Sequence, residues 1–445
     1  MTAIPSIQGH WLLGSMQERA SDPLPLYVRA ARMGPVSSFR AAWVRLYLLN
    51  HPEPLKHVLV DHPARYSKGR IAASLRPLVG NGILLSEGEV WKRNRRLAQP
   101  AFHRSVLARL AEGMVEETEV MLARWAARPD PAAPFDIAAE MMALTMAIIG
   151  RALFSADVTQ HAVAVSRALT VVLEEANRRA LSVTPWLPHL PTARQRAFRE
   201  ALGTLESIIR GIIQGRRGRE AEHPDLLSML MTAKDEDTGG HLSDEEVRDE
   251  VMTLFFAGHE TTANALAWLW YLLSLHPDVE LRVREELSSV LGGRAMQAED
   301  LSRLKYSTRV FEETLRLYPP AWLFVRQALA EDQVGPYRLP KDALVMVSPY
   351  AIHRIPEFWP DPERFDPDRF LPERVQARPR LTYLPFGGGQ RLCIGNNLAM
   401  MEAVVIMSSV LQRYRLEVVP GQTIEPEPLI TLRPRHGIHV RAHCV

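Results

Sequence analysis

Phe386-Gly387-Gly388-Gly389-Gln390-Arg391-Leu392-Cys393-Ile394-Gly395 is the stretch on which the reading turns, because it isolates one cysteine in a setting suited to a metal-bound thiolate. Cys393 is one of 2 cysteines in 445 residues, and the other, Cys444, is the penultimate residue. The glycines ahead of Cys393 open backbone conformations closed to other residues and let the chain approach a flat ligand closely. Arg391 puts a positive charge two residues away, and the apolar run from Leu398 starts a helix just downstream. Unpaired N–H groups and the positive end of a helix dipole both favour S⁻ over SH. In an arbitrary setting a solitary cysteine reads as a small buried hydrophobe. The segment around Cys393 argues against that reading.

The bulk properties narrow the field. With 53 Lys+Arg against 51 Asp+Glu, the chain is no polyelectrolyte, which argues against nucleic acid as its main partner. Length alone suggests about three domains. The Pro-rich stretches Arg128 to Pro134, Pro185 to Pro191 and Pro356 to Pro367 are short and lie between apolar segments, so they read as loops of one domain spanning 1–445. The N-terminus has neither the basic region nor the apolar run of a signal peptide. The apolar run Ala265 to Leu273 falls short of the ~20 residues that span a bilayer. No membrane anchor and a cytoplasmic location are expected, and so few cysteines suit a reducing compartment.

Helical patterns dominate, with β-like pieces at Val44 to Leu49, Leu344 to Val347 and Gly437 to Val440. The clearest helix starts at Ser243, an N-cap with Glu246 three residues on, the signature of a capping box. It runs to His276, where Pro277 stops it. At about 1.5 Å per residue it is roughly 50 Å long, which implies passage through the core. Its middle, Val251 to Ala257, is apolar on every side, as a buried helix should be. There sits Ala257-Gly258-His259-Glu260-Thr261-Thr262. Gly258 costs about 1 kcal/mol relative to alanine, and the Thr261 hydroxyl can return to a carbonyl one turn back. An acid and an alcohol are an odd choice for mere packing.

The cysteine segment resembles the haem-binding loop of the cytochromes P450, F-x-x-G-x-x-x-C-x-G, with Phe386, Gly389, Cys393 and Gly395 at the fixed positions. Further motifs in the family's order extend the resemblance from about Trp91 to the C-terminus. It implies a mainly α fold with a smaller β region, the β-rich part near 36–60 and 325–350. Haem b (iron protoporphyrin IX) would lie between the long distal helix and the cysteine-loop helix, with Cys393 as axial ligand of the iron. The mid-helix stretch resembles A-G-x-[DE]-T, which makes Glu260 and Thr261 catalytic and brings Ala257 to the haem. Glu313-Thr314-Leu315-Arg316 is similar to E-x-x-R, and Phe365 to Phe370 to F-x-P-x-R-F. By that resemblance Glu313, Arg316 and Arg369 form a buried structural cluster beneath the cysteine loop. Trp91 and Arg95 match W-x-x-x-R, and Arg95, Arg326 and Arg391 would hold the haem propionates. Arginine suits that task because it stays charged and forks onto carboxylates. Phe102 occupies a position that touches haem in relatives.

The activity implied is that of a monooxygenase of the soluble, mostly bacterial type. One atom of O2 enters a C–H or C=C bond of a lipophilic small molecule, a terpenoid, steroid or fatty acid. Thr261 and Glu260 would relay protons through water into a dry pocket. That pocket would draw on Leu84, Phe255, Phe256, Trp322, Leu323 and Ile430. A peroxygenase, an isomerase or dehydratase on the same fold, and a haem-thiolate sensor or electron carrier are the competing readings. Each is disfavoured by the intact acid–alcohol pair. An iron–sulfur cluster usually takes four cysteines, so no fused reductase is expected. Electrons would come from a separate donor such as a ferredoxin or flavodoxin with its NAD(P)H-dependent reductase. Lys92, Arg93 and Arg96 offer a basic face that could attract an acidic donor.

Overall fold

The computed structural model of the protein describes residues 2–155, 162–181, 192–223, 225–235, 237 and 239–445. The Pro185 to Pro191 loop of the sequence reading lies outside the described residues. The fold is mainly helical with small sheets, as expected. Its axis is the helix Asp244–Leu275, opened by the Ser243 and Glu246 capping box and closed where His276 precedes Pro277. Almost every residue from Val247 to Leu273 is buried.

The helix Ile137–Phe154 lies against it. The Thr145 hydroxyl donates to the His259 carbonyl at 3.0 Å. A Cβ on Gly258 would stand 2.9 Å from Ile149 Cδ1, so the glycine is what allows the two helices this close. Ile137–Phe154 is long and apolar enough to cross a membrane, yet it is mostly buried in the core, packed also on Arg104–Ala126. Helices Ala162–Leu181 and Ala193–Arg216 pack on each other, and Asn396–Leu411 packs on Arg104–Ala126 and Lys305–Leu317.

A five-stranded sheet runs in the order Val36–Ala41, Val44–Leu49, Leu344–Val347, Phe324–Ala328, Tyr66–Ser67. Val44–Leu49 and Leu344–Val347 pair in parallel, Tyr47 opposite Val345, across almost 300 intervening residues. The third β-like piece of the sequence is displaced. Gly437 has φ 69° and turns against Asp136, and the strand itself is His439–Cys444, paired with Tyr414–Val418. The glycine's turn geometry outweighs its place in an apolar run.

Between this sheet and the cysteine loop the chain from Arg354 to Gly395 is mostly irregular, and buried side chains supply the bonds that a sheet would otherwise make. Arg316 is fully buried and uses all five of its N–H donors: two to Glu313 (2.6 and 2.8 Å), and one each to the carbonyls of His353, Pro362 and Arg364 (3.0, 2.7 and 3.0 Å). Glu313 also accepts from the Asp366 N–H at 2.9 Å and faces Arg369 Nε at 3.3 Å. Arg369 in turn donates to the Pro360 and Asp361 carbonyls. His353 was not anticipated from sequence. Its Nε2 accepts from the Leu384 N–H at 2.9 Å, which leaves the proton on Nδ1 to donate to the Arg316 carbonyl. Burial holds this imidazole neutral. Glu313→Ala should therefore cost about 3–5 kcal/mol by stranding Arg316. Arg316→Lys should be nearly as damaging, because a point charge with three donors cannot serve five acceptor positions. Urea unfolding measures both, and a wild-type midpoint in either variant would contradict the network.

Candidate active site

The cysteine loop is closed by its own backbone, Cys393 N–H donating to the Phe386 carbonyl at 3.0 Å. Gly387 and Gly389 have φ of 74° and 67°. A Cβ on Gly389 would strike the Leu59 carbonyl, so this glycine lets the loop lie directly on the turn around His57–Asp61. The helix Asn396–Leu411 starts after N-cap Gly395, whose missing Cβ would sit 3.8 Å from Phe102 Cε1 and 4.0 Å from Cys393 Sγ. Gly395 thus lies beside both Phe102 and the sulfur. Cys393 keeps accessible surface, yet burial pushes its thiol up, against the opposing pull of the Gly395 N–H and the Arg95 charge. Accessible and desolvated together describe a recess rather than an open surface. The helix terminus alone does not make the thiolate; a coordinated metal ion would, since it deprotonates a thiol outright.

Lys68 and Arg326 share that combination of accessibility and desolvation, and they surround the recess with positive charge. Burial and the nearby Arg326 and Arg391 press Lys68 down to about 7. Burial takes Arg326 and Arg391 down to about 10, with Glu87 the opposing charge. These cations donate to carbonyls rather than carboxylates: Arg95 to Leu392 (2.8 Å), Arg391 to Ser86 (2.8 Å), Arg326 to Val325 (2.9 Å), and Lys68 to Leu84. Trp91 props the Arg391 guanidinium, 4.0 Å above its ring. Desolvated cations with so little counter-charge are costly unless an acidic ligand joins them. A haem with its two propionates fits that demand. Lys68 escaped sequence reasoning because only the pairing of Ser67 with Gln327 brings it beside Arg326.

Along the long helix, Ala257, Gly258 and Thr261 are the partly exposed positions in a stretch otherwise buried through its middle, and their spacing sets them on one face. They form a small-residue seam that suits a flat ligand. The Thr261 hydroxyl donates to the Ala257 carbonyl at 2.7 Å, as its position suggested, and the helix continues unbroken. Glu260 is buried, and burial raises its carboxyl to about 7. Its Oε1 accepts from the Thr431 hydroxyl at 2.6 Å, while Oε2 has no partner. Burial lowers His259 to about 4, so it stays neutral.

Of the six expected pocket residues, Leu84, Phe255, Phe256 and Ile430 belong to the main core, and Trp322 and Leu323 to the sheet-side core. Leu84 and Ile430 are half-buried and pack on the main core. Phe255 is roughly 160° round the helix from Ala257 and packs on Phe154 and His259 instead. With Phe256 and Met252 it lines a small apolar cavity against Leu169, Leu205 and Ile209. Trp322 packs edge to face on Tyr27 and sits with Leu323 in the sheet-side core. Its indole N–H reaches the Leu429 carbonyl at 2.8 Å. An all-apolar segment gives no sign of which side chains face inward, and here strand pairing decided. The basic face is also largely compensated: Lys92 pairs with Glu89, Arg93 with Glu246, and Arg96 with Asp235 and Asp237. Two further acids were missed. Asp249 and Glu250 accept from the Asn81 and Ile83 N–H groups, and Glu250 also from Asn94, fastening the Leu84 loop to the long helix.

Comparison with known proteins accords with this geometry. The family profile described as Cytochrome P450 matches residues 4–440. Cyclooctatin synthase of Streptomyces melanosporofaciens is 41% identical over 428 residues, 96% of this chain and 91% of that protein. Cyclooctat-9-en-7-ol 5-monooxygenase of the same organism is 37% identical over 93% of this chain and 89% of its own length. Pentalenene oxygenase of Streptomyces avermitilis is 33% identical over 99% and 95%. The chain belongs to the cytochrome P450 family, a monooxygenase whose cofactor is haem b. Cys393→Ser should abolish the thiolate-type spectrum of the reduced, CO-bound protein, and Cys444→Ser should leave it intact. Loss of that spectrum in the Cys444 variant alone would contradict the assignment of Cys393.

Proposed function

We propose that this enzyme oxygenates a cyclic terpenoid hydrocarbon or alcohol, with Cys393 holding the haem iron and Glu260 and Thr261 delivering protons. The carrying observation is a hydroxyl on the partly exposed seam of the long helix, a buried carboxyl next to it in the chain, and a cysteine in a cation-lined recess. Similarity to enzymes named for cyclooctat-9-en-7-ol and for pentalenene supports a terpenoid over a steroid or fatty acid. In this reading Arg95, Arg326, Arg391 and Lys68 hold the propionates, and Trp91, Phe102, Ala257, Phe386 and Gly395 pack on the macrocycle. Leu84, Phe256 and Ile430 remain the residues assigned to the substrate side. A single domain spans the chain. A separate ferredoxin or flavodoxin, with its NAD(P)H-dependent reductase, supplies electrons in the cytoplasm.

Haem b, when bound, supplies a redox-active iron centre at which O2 is reduced and one oxygen atom is transferred. The rest falls to the chain. Thr261 spends its proton on the Ala257 carbonyl, so its lone pairs accept from a water in the recess and hold it there. Glu260, with its carboxyl near 7, can both give and regain a proton at neutral pH. The apolar flanks of the helix keep other water out.

Thr261→Ala should lower the ratio of product formed to NAD(P)H oxidised, with the lost electrons appearing as hydrogen peroxide and the CO spectrum unchanged. General acid–base help is typically worth 10²–10⁴-fold; water bypass should hold this loss to roughly one order of magnitude. An unchanged ratio in both Thr261→Ala and Glu260→Gln would remove the pair from the mechanism. For the substrate, cyclic terpene hydrocarbons and alcohols should shift the haem spectrum at lower concentration than steroids or fatty acids. The reverse ranking would contradict the terpenoid reading.

A further inference from the structure

The hairpin Pro426–Pro428 with Leu432–Pro434 carries Thr431 on its tip and presses it, buried, against the long helix. Three bonds fix that tip. Trp268 Nε1 donates to the Leu432 carbonyl at 3.1 Å, Leu432 N–H to the Pro320 carbonyl at 3.0 Å, and Trp322 Nε1 to the Leu429 carbonyl at 2.8 Å. Thr431 is therefore held on a rigid support, and its hydroxyl has two neighbours. Asn264, one turn beyond Glu260 on the long helix, donates Nδ2–H to Thr431 Oγ1 at 3.2 Å. Thr431 then donates its only proton to Glu260 Oε1 at 2.6 Å.

This order has a consequence for Glu260. A hydroxyl has one hydrogen and two acceptor lone pairs; Asn264 takes a lone pair, and the hydrogen is directed at the carboxyl. Oε1 must then be an acceptor, so the carboxyl cannot carry its proton there. The only other place is Oε2, the atom buried without a partner. An unpartnered carboxyl oxygen in an apolar setting is costly as an anion and needs a use. Resting on the reading of Glu260 as proton donor, we infer that Thr431 is a positioning residue that confines the Glu260 proton to Oε2 and leaves that O–H free to donate. Thr431 touches neither substrate nor cofactor in this role; it acts through Glu260. The relay runs Asn264 to Thr431 to Glu260, and the proton that leaves Oε2 is replaced there from solvent. The charged and titratable groups around it are few. Arg433 on the same hairpin is paired with Glu427 at 2.8 Å, and its charge favours the carboxylate weakly. His259 on the long helix is neutral.

The test follows the carboxyl directly. Infrared difference spectra of the haem-loaded ferric protein, titrated with pH, should show a protonated carboxyl band that is absent from Glu260→Gln. The hydroxyl bond stabilises the carboxylate, so its loss raises the pH at which Glu260 ionises. Thr431→Val, near in shape but without the hydroxyl, should shift that midpoint upward by about one to two pH units, the equivalent of a hydrogen bond to a charged group. Thr431→Ser should restore it. A midpoint that is unmoved, or that falls, overturns the inference. In turnover Thr431→Val should lower product per NAD(P)H several-fold, and adding it to Glu260→Gln should lower the ratio no further. An equal loss in the Glu260→Gln background means that Thr431 shapes the pocket instead, and also overturns the inference. The infrared arm needs no substrate, so it decides the role of Thr431 separately from the assignment of the reaction.

Discussion

Arg316 has five N–H groups, all buried and all bonded, and the cysteine loop depends on that one side chain. The loop and the segment before it cannot be regular, because a strand or helix would enclose Cys393 in its own hydrogen-bond ladder. Irregular backbone in a protein interior must nevertheless satisfy its carbonyls. A guanidinium held by Glu313 does so for residues at 353, 362 and 364, and neutral His353 carries the tie onward to Leu384, two residues before Phe386. The buried ion pair is thus no simple gain in stability. It is the means by which a flexible, glycine-rich loop is given one geometry.

The site itself is defined by imbalance of charge. Buried positive charge at Lys68, Arg326 and Arg391 is opposed mainly by Glu87, and the Cys393 sulfur is desolvated without being sealed. On the long helix the Glu260 carboxyl, near 7, has one oxygen engaged and one free. Each group is individually unfavourable where it stands. A macrocycle with two acidic arms and a metal ion would relieve the cations and the thiol together, and would leave the carboxyl available for proton transfer. The fold tolerates local instability where the chemistry requires it.

Much of this was legible in the sequence. The glycine-flanked Cys393, the capped helix from Ser243 and the acid–alcohol pair within it carried the fold class and the centre of the site, because each is local in the chain. What escaped depends on contacts distant in sequence. Lys68 reaches the recess through a two-residue strand, His353 bridges segments by a side chain of ordinary context, and Thr431 meets Glu260 across 171 residues. The pocket residues were hard to place for the opposite reason. Phe255, Trp322 and Leu323 are apolar in apolar surroundings, and hydrophobicity marks burial without saying on which side.

The reaction can be tested through the fate of oxygen. A reconstituted preparation, supplied with a reductase system and a cyclic terpene that shifts the haem spectrum, would be run under isotopically heavy O2 in ordinary water. The account predicts a product carrying one heavy oxygen atom, with the second recovered as heavy water. A product with no label, or with oxygen drawn from the solvent, would contradict a monooxygenase built around Cys393, Glu260 and Thr261.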